Sequence, residues 1–526
     1  VTVLSAPPVG RAVVLADDDA PAPPRRSRWA VVAAFAAVGF LAMYVVIALL
    51  RLRYPYEVEW IEGGMVDHVA RLRAGHALYA RPSLTFTADI YTPLYFVVAA
   101  AVSFVTGLGF FPLRLVSFLA SLALFAALAR LARSDTDDWF PGLLAAGLFA
   151  ACYRVGGAWM DTARVDTLCL ALTFWGLVVA RDARSARRGA LAGLLLSLGF
   201  LAKQVAVFPA VAVAVFLLVT RRTAAARAYA AVTMVGIVGS TLLANALTGG
   251  WYAFYVVTLP TEHDVAHRAY VDFFTVDLLR PLPLAMLLGA VALVALRRRH
   301  DALVFHGLVG GALLVAAYTA RLHTGGYDNV LLPVYADVAL LAAIGAGHAL
   351  RTTERRWLAR AAGLALLAQF ALLLYNPAAQ VPTNADWQAG AEMMAALRAL
   401  PQPVYLPGHP WYLGEVGQST SAQSAAVEDV LRGDRNATGP VLARDLWTAV
   451  AEQHYAAIVV DSGDGFSYLP DNLCRFYRPD HQLLAGGGAL LPLTGTMTGP
   501  EWVWVRRAVP AEDCHATHAW TVGATG

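Results

Sequence analysis

Three carboxylates, Glu57, Glu59 and Glu62, stand within six residues of one another in the stretch EVEWIEGGMVDH, directly after a long apolar run. A carboxylate beside a hydroxyl can take its proton, and an arginine or lysine can hold a phosphate. Partners for both tasks occur in four further polar stretches. WMDTARVD carries Arg164 and Asp166, AKQ carries Lys203, PTEHDVAHR carries His263 and His267, and RLHTGGYDN carries His323, Tyr327 and Asn329. Each stretch also has a plainer use: solvated loop charge for the glutamates, an ion pair at a helix mouth for Arg164 and Asp166, a snorkelling lysine at 203, turn chemistry around Gly325 and Gly326.

The elements that would position these residues follow from composition. The chain has 526 residues, 58% hydrophobic and 15% charged, with a net charge of +3. Soluble domains carry about a quarter charged residues, so this is the composition of a multi-pass membrane protein. The charge is too small to argue for nucleic acid. Residues 1–28 lack periodicity and end in a basic cluster, which predicts a disordered cytoplasmic tail. From an N-terminus inside, apolar runs predict eleven spans at about 29–50, 112–132, 141–156, 165–180, 189–202, 205–220, 228–247, 281–296, 302–320, 329–350 and 358–376. The arginine-rich loops RLARSDTDD, RDARSARR, TRRTAAAR, RRRHD and RTTERRWLAR then fall on one side. Tyr91 to Gly107 is apolar but short, and as a span it would turn those clusters outward, so it is expected to lie in the interface. Gly63 to Ala74 reads as a second interfacial helix, with Met65, Val69 and Leu72 on one face and Asp67, His68 and Arg71 on the other. The first outer loop is therefore 51–111, and the five polar stretches meet at the outer face.

Residues 377–526 have soluble-protein composition, with strand-like PVYLPG and AAIVVDSG alternating with helical DWQAGAEMMAALRAL. They predict a small extracytoplasmic α/β domain. Of four cysteines, Cys152 and Cys169 fall in or near helices, while Cys474 and Cys514 form an expected disulfide in the outer domain. No cysteine spacing resembles a metal site.

The ordered set EG at 62–63, ARLRAGHALY at 70–79, YTPLYF at 91–96, RVD at 164–166, LAKQ at 201–204 and GGYDN at 325–329 resembles the GT-C membrane glycosyltransferases. The closest branch includes the protein O-mannosyltransferases and the aminoarabinose transferase of lipid A. The likeness covers about residues 29–376. It implies a polyprenyl-phosphate sugar donor and inverting transfer, at the outer membrane face, to a cell-envelope glycan, lipid or protein. It also implies a catalytic acidic pair in the first loop. Counted back from Gly75, Glu62 takes the second place of that pair and Ile61 the first, so Glu62 is the expected base, with Glu59 the fallback. Arg164 and Lys203 are the expected phosphate partners, with Asp166, His323, Tyr327 and Asn329 as further site residues. A divalent metal at Asp166 stays open. A lipid-linked saccharide flippase is the alternative, but it would need polar groups along the bilayer midplane, and here they collect at one mouth. The Ala, Arg and Gly bias suggests a GC-rich bacterial genome.

Overall fold

The computed structural model describes residues 28–351, 356–433, 435–462, 469 and 472–511; apart from Arg28 the expected tail lies outside them. Helices stand at all eleven expected positions. They are α1 (Arg28–Leu52), α4 (Phe110–Thr136), α5 (Trp139–Ala151), α6 (Asp166–Arg181), α7 (Ala186–Ala202), α8 (Val207–Val219), α9 (Thr223–Leu247), α12 (Pro283–Leu296), α13 (His300–Leu322), α14 (Asp328–Arg351) and α15 (Arg356–Leu372). Among the described residues five are long and apolar enough to cross a membrane on their own, namely α1, α4, α9, α13 and α14. A sixth span is added if α11 (Ala269–Leu279) and α12, bent by 86° at a break holding Pro281, count as one. The rest are shorter than the ~20 residues a lone span needs. The first loop holds α2 (Glu62–Arg73) and α3 (Leu94–Thr106), and a helical stretch over 251–262 (α10) precedes α11.

Small residues let these helices close on one another. A methyl added at Gly147 of α5 would collide with Ala37 of α1, and one at Gly345 of α14 with the Leu288 carbonyl of α12. Apolar side chains that the bundle leaves out, such as Phe35, Val235 and Leu242, are exposed, as lipid-facing positions require. Phe104 and Val105 of α3 are exposed in the same way, which suits the interfacial placement. α5 stops five residues before the expected end at 156: the chain turns from Cys152, and Gly157 takes a φ of +75°.

The C-terminal segment builds a four-stranded sheet in the order β1-β2-β4-β3, from Val404–Tyr405, Ala457–Asp461, Tyr477–Gln482 and Pro500–Arg506. β1 and β2 are parallel; the other pairings are antiparallel. Its helices include α16 (Asn384–Ala399), opened by a Thr383–Asp386 capping box, α17 (Trp411–Glu415) and α18 (Ser424–Arg432). This segment and the first loop share one hydrophobic core: Tyr56, Val58 and Met65 cluster with Leu397, Trp411 and Val503. Gly390 of α16 lies so close to the Tyr56 ring that any side chain there would collide with it. Cys474 is disulfide-bonded, while Cys514, the other member of the expected pair, lies outside the described residues; Cys152 and Cys169 are free and buried.

Candidate active site

A cavity of about 260 Å³ opens where the first loop, the helix mouths and α18 meet. Lys203 reaches it because α7 ends at Ala202 and the lysine backbone is extended, with φ −157° and ψ 131°. Pro209, tolerated in the first turn of α8 but not inside a continuous helix, keeps the two helices separate. Asp166, the first residue of α6, receives the Lys203 Nζ at 2.6 Å and the Asn329 amide at 3.1 Å, both on Oδ1. Its Oδ2 is buried without a partner.

Arg164 sits on the loop before α6. Its Nη2 donates to the Tyr91 hydroxyl at 2.7 Å, and its guanidinium lies 5.0 Å from the Trp159 ring and 5.3 Å from the Tyr91 ring. Nε and Nη1 are buried with no hydrogen-bond partner, and Nη1 stands 3.7 Å from Glu59 Oε2, which leaves Nε as the donor without any partner. The loop is pinned by Arg51, whose Nη1 donates to Ala158 O at 3.0 Å and to Asp161 at 3.2 Å. The RLHTGGYDN turn is held by Arg321, which grips Asp277 at 2.8 Å and donates to Gly326 O, while Gly325 takes a φ of +94°. The Tyr327 ring stands 6.0 Å from both Trp60 and Trp159, and its hydroxyl bonds Thr496 Oγ1 at 2.9 Å.

The three glutamates of the first loop have different surroundings. Glu57 bonds His409, which also bonds Asp461 at 3.1 Å, so it ties the loop to the C-terminal sheet. Glu62 takes Arg114 Nε at 2.9 Å and Ala163 N at 2.6 Å on Oε1, and Arg114 Nη2 at 2.5 Å, Val58 N at 2.7 Å and Glu59 N at 3.3 Å on Oε2. Burial pushes this carboxyl up, but Arg114 and the backbone N–H groups outweigh it and hold it below the usual range. Glu59 is fully buried, neither of its oxygens accepts a hydrogen bond, and the nearest cation is Arg164 Nη1 at 3.7 Å. Burial, only partly offset by Arg164 and reinforced by Glu62 and Glu57, pushes Glu59 up to about 8.

The structure thus brings Arg164, Lys203, His323, Tyr327 and Asn329 onto one cavity wall, with Asp166 directly behind Lys203. Glu59 lies behind Arg164, and neither it nor Glu62 lines the cavity. Of the histidine loop, His263 packs against His323 with ring centroids 4.5 Å apart. Sequence reasoning missed Arg114, although a lone arginine in the apolar run FFPLRLVSF is itself a signal of a buried partner. It also missed Glu428, Asp429 and Arg432 of α18, which line the cavity. Nothing marks them in sequence, since SAAVEDVLR reads as an ordinary amphipathic helix. Among the described residues no group of three or more His, Cys, Asp or Glu side chains could hold a metal ion.

Comparison with known proteins adds the wider frame. A family model of dolichyl-phosphate-mannose-protein mannosyltransferases matches residues 91–244. A search of curated protein sequences found no match. Among solved structures, ArnT from Cupriavidus metallidurans bound to undecaprenyl phosphate superposes with a TM-score of 0.50 at 16% identity, over 73% of this chain and 85% of ArnT. The Archaeoglobus fulgidus oligosaccharyltransferase in complex with Zn and sulfate gives a TM-score of 0.50 at 12% identity, over 82% of this chain and 67% of that one. At these identities the likeness is one of fold. The chain is a multi-pass membrane protein with the GT-C fold, and it resembles the glycosyltransferases of the protein O-mannosyltransferase and ArnT branch.

Proposed function

We propose that this protein is an inverting glycosyltransferase that moves a sugar from a polyprenyl-phosphate donor to a hydroxyl of a cell-envelope acceptor at the outer membrane face. The observation that carries it is the pair of cations on one cavity wall, the Arg164 guanidinium and the Lys203 ammonium, at the mouths of membrane helices where a lipid phosphate would sit. The ArnT structure with undecaprenyl phosphate supports such a ligand for this fold.

In this reading Glu59 is the general base and Glu62 a positioning residue. When Arg164 turns to the donor phosphate, the Glu59 carboxylate behind it is uncovered and takes the proton of the acceptor hydroxyl as that oxygen attacks the anomeric carbon. The bond from the anomeric carbon to the phosphate oxygen breaks, its electron pair leaves with the lipid phosphate, and Arg164 and Lys203 stabilise the charge that develops there. Glu62 is saturated by Arg114 and three N–H groups and holds both the 58–62 turn and the loop that presents Arg164. Asp166 and Asn329 aim Lys203. The test is turnover of a polyprenyl-phosphate sugar by purified protein, with and without a chelator. Arg164→Ala and Lys203→Ala should each weaken donor binding and turnover tenfold or more, and loss of turnover on chelation alone would place a divalent ion in the reaction. Full turnover in both variants would remove the phosphate site from this cavity.

A further inference from the structure

The cavity has a second wall, supplied by α18. Arg432 there is engaged by Glu428 one helical turn back, and its Nη1 stands 3.7 Å from Asp429 Oδ1. Two carboxyls face one guanidinium, and burial raises Asp429 to about 7, so near neutral pH this wall is close to balanced in charge while the facing wall is cationic. An anionic phosphate is drawn to Arg164 and Lys203 rather than to this wall. The donor then turns its uncharged part towards α18, and the Asp429 carboxyl can pair with sugar hydroxyls whether ionised, as acceptor, or protonated, as donor and acceptor. The wall is also preorganised: His263 Nε2 is bonded to the Asp429 backbone oxygen at 2.7 Å, and His263 packs on His323. His323 lines the same cavity with its Nε2 buried and unpartnered. Burial first, then His263 and Arg432, hold its pKa down to about 4, so at neutral pH it is an uncharged hydrogen-bonding group.

We propose that Asp429, with His323 beside it, recognises the hydroxyls of the transferred sugar, so that a helix of the C-terminal domain determines which sugar the membrane-embedded phosphate site accepts. This inference rests on the lipid-phosphate donor reading above.

The experiment compares binding of four probes to the full detergent-purified chain: undecaprenyl phosphate alone, and undecaprenyl phosphate bearing glucose, mannose or arabinose. Wild type should bind at least one sugar-bearing lipid tenfold or more tightly than the bare lipid phosphate. Asp429→Asn should abolish that margin while binding the bare lipid phosphate as wild type does, and His323→Gln should reduce it in part. Arg164→Ala, in contrast, should weaken bare and sugar-bearing lipid alike. The proposal is overturned if the margin survives in Asp429→Asn, including the case where only turnover is lost. It is equally overturned if wild type shows no margin for any of the three sugars, or if Asp429→Asn loses the bare lipid phosphate as well, which marks a structural role. Wild type that fails to bind bare undecaprenyl phosphate overturns the donor reading itself, a result distinct from the loss of a sugar margin.

Discussion

If Glu59 is the base, its elevated pKa must appear in the pH dependence of the reaction. With a value of about 8 in the free protein, about a tenth of the carboxyl is ionised at pH 7 and half at pH 8. The kcat/KM reports the free enzyme, so it should rise about fivefold over that unit and level off above it. Arg164 is the group that holds the value down, and a donor phosphate bound to Arg164 cancels part of that help. The kcat profile should therefore lie at higher pH than the kcat/KM profile. Glu59→Gln, which cannot accept a proton, should lower turnover about a hundredfold or more and flatten both profiles. Stability moves the other way. A carboxyl whose folded pKa lies above its unfolded value of 4.5 keeps its proton longer in the native state, so the native state loses ground as pH rises from 4.5 through 8. Glu59→Gln should be neutral at acid pH and become stabilising, by a few kcal/mol, towards pH 8. The assay is steady-state transfer between pH 6 and 9 beside thermal unfolding over the same range. A flat wild-type kcat/KM, with Glu59→Gln retaining near-normal turnover, would refute the reasoning.

Glu62→Gln should behave oppositely: it leaves Arg114 buried without its counter-charge, costing about 3–5 kcal/mol, seen as a lower midpoint in thermal unfolding at neutral pH. Combining it with Arg114→Met should restore much of that loss, and an unchanged midpoint in the single variant would show the pair to be dispensable. For topology, if all eleven helices cross from an N-terminus inside, the C-terminal domain lies outside and a cysteine placed at Ser462 should react with an impermeant thiol reagent added to intact cells. Labelling only after the cytoplasm is opened would move domain and cavity to the other face.

What was legible in the sequence is what depends on near neighbours. Apolar runs located the helices, since a helix in lipid must satisfy its own backbone. The non-basic polar stretches located the cavity, since charges at a helix mouth must be solvated or paired. What was not legible depends on partners far away in the chain. Glu59 and Glu62 are three residues apart and look equivalent, yet Arg114 and Ala163, 52 and 101 residues on, neutralise Glu62 and leave Glu59 bare. His68 was placed on the polar face of its interfacial helix but is buried, stacked on Phe96 at 4.8 Å, with Nε2 accepting from Asp89 N at 2.9 Å. Asp429 sits more than two hundred residues from Lys203, and only the docking of α18 brings both to one cavity.

The crowding of three carboxylates after α1 has a physical account in these partners. Glu57 is bound by His409, whose pKa, despite burial, is raised by Glu57 and Asp461, and this contact fastens the start of the stretch to the C-terminal sheet. Glu62 is bound by Arg114, which fastens its end to α4 and, through Ala163 N, to the loop of Arg164. Leu493 N and Thr494 N close over the middle, both donating to Val58 O, at 2.9 and 3.1 Å. Glu59 is thereby fixed from both sides and kept buried, and burial outweighs Arg164 and the Ile61 backbone, which pull its pKa down. A flexible loop would let that carboxylate turn to water and ionise at its ordinary value; two paired glutamates keep the third dry, close to Arg164 and basic near neutral pH. The same anchors make the active-site loop and the C-terminal domain one packed unit, so damage to the His409 clamp should reach the chemistry without touching the cavity.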